Sequence, residues 1–155
     1  MDVGSIYDVP LSYHEQGFDT EVCRHFGLLE KESVRSWVWQ RISDIVAKPE
    51  GSVKIAIVGK YTSLLDLYKS LAEALTHGGI ANKIKVELVW MNSEIFESED
   101  TVQHLEGVNG IWSLVDLGTG AEGKISAVKF ARERHVPYFG ICFGMQMALL
   151  KRLET

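Results

Sequence analysis

From Val53 onward, short β-branched runs alternate with longer stretches whose apolar residues recur every three to four positions. "VKIAIVG" (53–59) predicts a buried strand ending in glycine, and "SLLDLYKSLAEALTHGG" (63–79) an amphipathic helix with a glycine stop. "IKVELVWM" (84–91) interleaves apolar and polar residues, as expected of a half-buried or edge strand. "SEDTVQHLEG" (98–107) predicts a short helix and "GIWSLVDL" (110–117) a third strand with an irregular end. "AEGKISAVKFARERH" (121–135) predicts a helix, "VPYFGIC" (136–142) a fourth strand, and "FGMQMALLKRLE" (143–154) a fourth helix. Strands alternating with helices imply right-handed crossovers. The expected fold class is α/β: a partial doubly wound, flavodoxin-like, mostly parallel sheet with helices on both faces.

The first fifty or so positions follow another rhythm. Residues 1–20 show no clear period and read as an extended tail with a turn near Gly17 and weak helical tendencies. Glu21–Gly27 reads as a short helix. Val34, Trp37, Val38, Arg41, Ile42, Ile45 and Val46 form an apolar stripe at helical spacing, with Ser33 as N-cap and Pro49 beyond the end. "KPEGS" reads as a hinge. Trp37 and Trp39 stand about 200° apart around such a helix, so at least one should be exposed or contact another domain.

Composition narrows the class. Hydrophobic residues make up 46% and charged residues 24% of 155, which suits a globular domain with a core. A net charge of −5, with both signs interspersed, argues against a nucleic-acid surface. No apolar run approaches the ~18 residues of a membrane span, and the N-terminus lacks the pattern of a signal peptide. Cys23 and Cys142 are too few for a disulfide framework and show no metal-ligand spacing. A reducing, cytoplasmic setting is expected, with no metal site, no membrane and no nucleic-acid partner.

One motif carries chemistry. In "GICFG" (140–144) a buried strand meets a helix at Cys142, with glycines two before and two after. Such spacing forces the middle residue into a strained turn and exposes its side chain at the sheet's carboxyl edge, where open α/β sheets bind ligands. A thiol at a helix N-terminus feels the positive end of the dipole, which favours thiolate. Phe143 N–H, next in the chain, would face a developing oxyanion. The competing reading is a small core hydrophobe, the usual fate of a lone cysteine.

The stretch "PYFGICFGMQMAL" resembles the elbow of class I glutamine amidotransferases, and most of all that of the CTP synthase family. "VGKYTSLLDLYKSLAEALTHGGIANKIKVELVWMNSE" resembles the start of that amidotransferase domain. "EGKISAVKFARERHVPYFGIC" resembles the approach to its nucleophile, and "DVGSIYDVPLSYHEQGFD" the end of its synthetase domain. The resemblance implies residues 1–20 as a synthetase tail, 21–51 as a linker with a helix, and 52–155 as a truncated amidotransferase domain. It implies Cys142 as nucleophile, Phe143 as a backbone contact to the substrate carbonyl, and Gln146 as a side-chain contact to glutamine. More weakly, it places Asp2 and Val3 near a nucleotide site. The family makes CTP from UTP, ATP and glutamine, with ATP and Mg as requirements of the full enzyme; no cofactor is expected on this chain itself.

Three departures qualify that implication. The synthetase domain is absent but for its tail, and no G-x-x-x-x-G-K-[ST] loop occurs. The family's "PGGFG"-like loop, which supplies a second oxyanion donor, is replaced by "SLVDLGTG" (113–120), about one residue shorter; losing one such donor costs roughly 10²–10³ in rate. The family's histidine and glutamate lie well downstream, whereas this chain has 13 residues after Cys142 and its histidines, His14, His25, His77, His104 and His135, all precede it. His77 is placed at a helix C-terminus and His135 at the sheet edge opposite Cys142, so neither is expected to serve as base. "GKYTSLLD" reads as a βα turn rather than a phosphate site at Lys60. The isolated chain is expected to be inactive alone and marginally stable, with an open sheet edge. The alternatives are a non-catalytic module that associates with itself or with full-length CTP synthase, and another cysteine hydrolase on a flavodoxin-like sheet.

Overall fold

A computed structural model describes residues 3–28, 36–60, 68–114 and 120–153. The chain divides into two compact units, 1–51 with 78–85 and 52–77 with 86–155.

In the first unit, residues read as an extended tail are helical. A 3-10 turn over Ile6–Asp8 leads into α1 (Val9–Glu15), and α2 (Phe18–His25) follows a left-handed Gly17. The turn at Gly17 is where the sequence placed it. The helix expected at Glu21–Gly27 forms as part of α2, starting earlier at Phe18, whereas α1 escaped the pattern because it is short and buries little: none of its side chains is fully buried. Both helices are held by local chemistry. The Ser5 side chain accepts from Tyr7 N–H, Pro10 sits in the first turn of α1, and His14 pairs with Asp19 at 2.6 Å. That hydrogen bond to His14 holds the Asp19 carboxyl below its usual range. Helix α3 (Ser36–Ala47) follows the predicted stripe, and Ser43 Oγ donates to Asp8. Ser33, the expected N-cap, lies outside the described residues. Both tryptophans of α3 are exposed, Trp37 by 65% and Trp39 by 38%.

The remaining elements are β1 (Gly51–Gly59), α4 (Lys69–Ala81), β2 (Ile84–Asn92), α5 (Ile95–Ser98), α6 (Thr101–Leu105), β3 (Gly110–Ser113), α7 (Ala121–Glu133), β4 (Tyr138–Gly140) and α8 (Phe143–Leu153). The strand order is β2-β1-β3-β4, with β1–β3 and β3–β4 parallel. This is the flavodoxin-like order over four strands. Strand β1 is central, and Ala56, Ile57 and Val58 are wholly excluded from water, as a strand covered on both faces requires. Ala56, Val58 and Ile111 pack with Phe96, Leu105, Val108, Ala127, Phe130 and Ala131 from α5, α6, α7 and the turn before β3.

Strands β3 and β4 are shorter than the sequence suggests. Each stops as its backbone turns toward the sheet's carboxyl edge, where register aligns Val58 with Ser113 and Ser113 with Gly140. His77 lies within α4, not at its end.

Among the described residues β4 is an edge strand, and Phe139, Ile141, Met145, Leu149 and Leu150 on β4–α8 are exposed. An uncovered apolar edge favours association and limits stability. The chain is expected to melt below about 60 °C, low in the usual mesophile range of 45–65 °C. A sharp, concentration-independent transition above that temperature by calorimetry would contradict this.

Candidate active site

Cys142 has φ of +52°, a left-handed conformation that costs a residue with a Cβ about 1–3 kcal/mol. The two flanking glycines explain why it is held there. A Cβ on Gly144 would lie 2.6 Å from the Ser113 carbonyl oxygen, and one on Gly140 would lie 2.6 Å from the Gly144 carbonyl carbon and Met145 N. The strand end and the helix start are therefore in direct backbone contact. Ile141 N–H donates to Ser113 O at 3.1 Å, Gly144 N–H to Ile141 O at 3.0 Å, and Gln146 N–H to Cys142 O at 3.1 Å. The thiol is exposed at the first turn of α8. Phe143 N–H meets no acceptor among the described residues.

Of the residues singled out from sequence, Cys142, Phe143 and Gln146 fall together in this turn, with Phe143 half-buried and Gln146 exposed. Val3 is exposed in the other unit, and Asp2 lies outside the described residues. The loop that replaces the glycine pair, 115–119, also lies outside them. Its ends are described: Leu114 is buried, and Gly120 is left-handed with φ of +83° as the N-cap of α7.

Among the described residues no histidine hydrogen-bonds to the Cys142 thiol. His104 pairs with Glu99 at 2.6 Å and His14 with Asp19. His135 precedes β4, whose other end leads into Cys142. Lys60 pairs with Glu94 at 3.5 Å, and its carbonyl accepts from the Tyr68 hydroxyl at 2.8 Å. Among the described residues no group of three or more His, Cys, Asp and Glu side chains could hold a metal ion. No helix among them is long and apolar enough to cross a membrane.

Two residues of this region were not singled out in the sequence. Tyr138 donates from its hydroxyl to Gly144 O at 2.9 Å, tying β4 to α8, and burial raises its pKa, opposed in part by the Ser113 hydroxyl. Lys124 is entirely buried, and its Nζ donates to Leu114 O at 2.7 Å. Within "AEGKISAVKF" it looks like any solvated helix lysine, and no periodicity argument would have buried it.

A family model for glutamine amidotransferase class-I matches residues 63–152. The chain is similar to a CTP synthase of Rhodospirillum rubrum, 64% identical over 152 residues, covering 97% of this chain and 28% of that protein. A CTP synthase of Methylobacterium nodulans is 59% identical over 155 residues, covering 99% and 29%. The chain thus spans under a third of the length of these curated relatives. Among solved structures, the glutaminase domain of a Trypanosoma brucei CTPS with bound acivicin superposes with a TM-score of 0.59 at 34% identity, covering 64% of this chain and 39% of that one.

Two outcomes follow from the packing. Cys142→Gly should stabilise the chain by about 1 kcal/mol by releasing the left-handed strain, whereas Gly144→Ala should cost about 1–3 kcal/mol by pushing α8 off Ser113, both measured by urea denaturation. For Tyr138 the sign is fixed by linkage. Its folded pKa lies above the unfolded value near 10, so the stability it contributes is full below about pH 10 and falls as pH rises through the folded value. Tyr138→Phe should lose that alkaline component, read as a flatter stability profile above about pH 10 than the parent chain shows.

Proposed function

The chain belongs to the class-I glutamine amidotransferase family, and we propose that its elbow supplies the nucleophile for glutamine hydrolysis in a CTP synthase of pyrimidine nucleotide biosynthesis. The observation that carries the reading is the left-handed Cys142 between two glycines in backbone contact, with an exposed thiol and, beside it, an N–H that meets no acceptor among the described residues. The likeness to a glutaminase domain solved with acivicin, and to CTP synthases along nearly the whole chain, supports the same assignment.

The chemistry follows from the elbow. The Cys142 thiolate adds to the carboxamide carbon of glutamine, and the carbonyl electron pair moves onto oxygen, where Phe143 N–H donates to it. Gln146, one helical turn on, contacts the bound amino acid. The tetrahedral species expels ammonia, which takes its proton from a general acid, and water then hydrolyses the thioester. Since no histidine among the described residues bonds to the thiol, the acid-base group is assigned to a part of the domain outside them.

Residues 1–20 are assigned to the tail of a synthetase domain, 21–51 to a linker, and 52–155 to the amidotransferase domain. The ammonia would go to the synthetase domain of the full enzyme, which forms CTP from UTP and ATP. ATP and Mg find no fit in this chain: the sequence has no phosphate loop, and the described residues offer no carboxylate cluster for a cation. No step is routed through them. The exposed apolar residues of β4–α8 favour a second reading, association with full-length CTP synthase through this face.

The test is labelling by a chloroketone analogue of glutamine, read by peptide mass spectrometry. With the rest of an amidotransferase domain supplied, Cys142 should be labelled at least about tenfold faster than Cys23, the internal reference. Equal labelling of the two would remove the nucleophile assignment.

A further inference from the structure

A lysine with no exposed surface is uncommon, because removing an ammonium from water costs several kcal/mol unless partners replace its hydration. Lys124 has 0% exposure, and it stands in the first turn of α7, where the helix dipole disfavours a cation. Its position is therefore costly twice over, and its contacts show what it gains there. Nζ donates to Leu114 O at 2.7 Å and lies 5.2 Å from the centroid of the Phe143 ring.

Those two contacts fall on the segments that flank Cys142. Leu114 is the exit of β3. Its N–H donates to Val58 O at 3.0 Å, and its side chain packs on Gly59, where a Cβ would come within 3.1 Å. Phe143 opens α8 and carries the N–H beside the thiol. One ammonium thus spans the strand that leads into the loop at 115–119 and the residue that follows the nucleophile. Lys124 itself is fixed from behind: its N–H donates to Gly120 O at 3.1 Å, and Gly123 packs against the Ser93 carbonyl so closely that no side chain fits.

We propose that Lys124 is a positioning residue for carbonyl addition at Cys142, clamping the exit of β3 to the Phe143 end of α8 so that the Phe143 N–H keeps its place against the attacked carbonyl oxygen. This rests on the glutamine-hydrolysis reading and deepens it. A clamp on the oxyanion side matters for addition to a carbonyl, where charge develops on oxygen. It matters little for displacement at a saturated carbon, where no oxyanion forms.

The experiment uses that difference on the full chain. p-Nitrophenyl acetate acylates Cys142 through an oxyanion: sulfur adds to the carbonyl carbon, the π pair moves to oxygen, and collapse expels p-nitrophenolate to leave a thioester, with the thiol proton released to solvent. Iodoacetamide alkylates the same sulfur by displacing iodide. Both rates are read on the Cys142 peptide, with Cys23 as reference. Lys124→Met, which keeps the length and removes the charge and donor, should slow acylation about tenfold while alkylation stays within about twofold. Lys124→Arg should restore most of the loss. If Lys124→Met does not fold, Phe143→Leu, which removes the ring and keeps the N–H, should show a smaller split of the same sense. Equal slowing of both reactions, or no change in either, overturns the clamp while leaving the nucleophile in place. With the rest of an amidotransferase domain supplied, a Cys142 that reacts no faster than Cys23 with either reagent removes the nucleophile reading and the clamp with it.

Discussion

Helix α8 can begin where it does only because two side chains are missing. Gly144 lies against the Ser113 carbonyl and Gly140 lies against Gly144, so strand end and helix start approach with nothing but backbone between them. That approach leaves Cys142 too few backbone degrees of freedom to relax out of its left-handed turn. Strain of about 1–3 kcal/mol would be lost to a different loop if the surroundings were soft. Here the surroundings are a parallel strand in register with β1 and β3, a phenol bonded to Gly144 O, and the first turn of a helix. The exposed thiol is the result of that over-determination.

The parts of this arrangement that sequence reveals are those in which each residue's role is repeated or exclusive. Strands and helices from Val53 onward were legible because burial imposes a period on many residues at once, and β1 is buried on both faces as its continuous apolar run requires. The elbow was legible because only glycine tolerates such contact, so G-x-C-x-G states a geometric fact. The helix at Val9–Glu15 and the first turn of the one at Phe18–His25 were opaque because they bury no face fully, and their order comes from local contacts such as the His14–Asp19 pair that leave no period. Strand ends were misjudged for a related reason. "GIWSLVDL" stays apolar past Ser113 because Leu114 is buried, though it no longer pairs as a strand.

Lys124 shows the sharper limit. Its neighbours in "AEGKISAVKF" place it on a helix, and a lysine on a helix is ordinarily solvated. In the fold its Nζ reaches an acceptor ten residues earlier and a ring nineteen residues later. Neither contact follows from helical spacing. Long-range pairings of single residues are where a sequence pattern stops, and polar groups at the edge of a site are often of this kind. Tyr138 belongs with it: its place in a strand was readable, its bond across to Gly144 was not.

The face beside Cys142 is built as interior. No Asp, Glu, Lys or Arg occurs from Val136 to Leu150, the whole span of β4, the elbow and most of α8. Edge strands that meet water normally carry charges, a proline or a bulge to prevent further pairing. Here Pro137 stands just before β4, and the strand itself offers Tyr138, Phe139 and Gly140. Phe139 is 60% exposed, and Ile141, Met145, Leu149 and Leu150 are exposed with it. A surface of that composition is energetically consistent only when something covers it, and a wider sheet does so with the least rearrangement. Covering it would change the electrostatics of the thiol as well as its packing. With water excluded on one side, the Phe143 N–H beside the thiol would act in a lower dielectric and be worth more than at an open edge. A contact on this face would therefore act on the stability of β4–α8 and on the surroundings of the Cys142 thiol through one apolar surface.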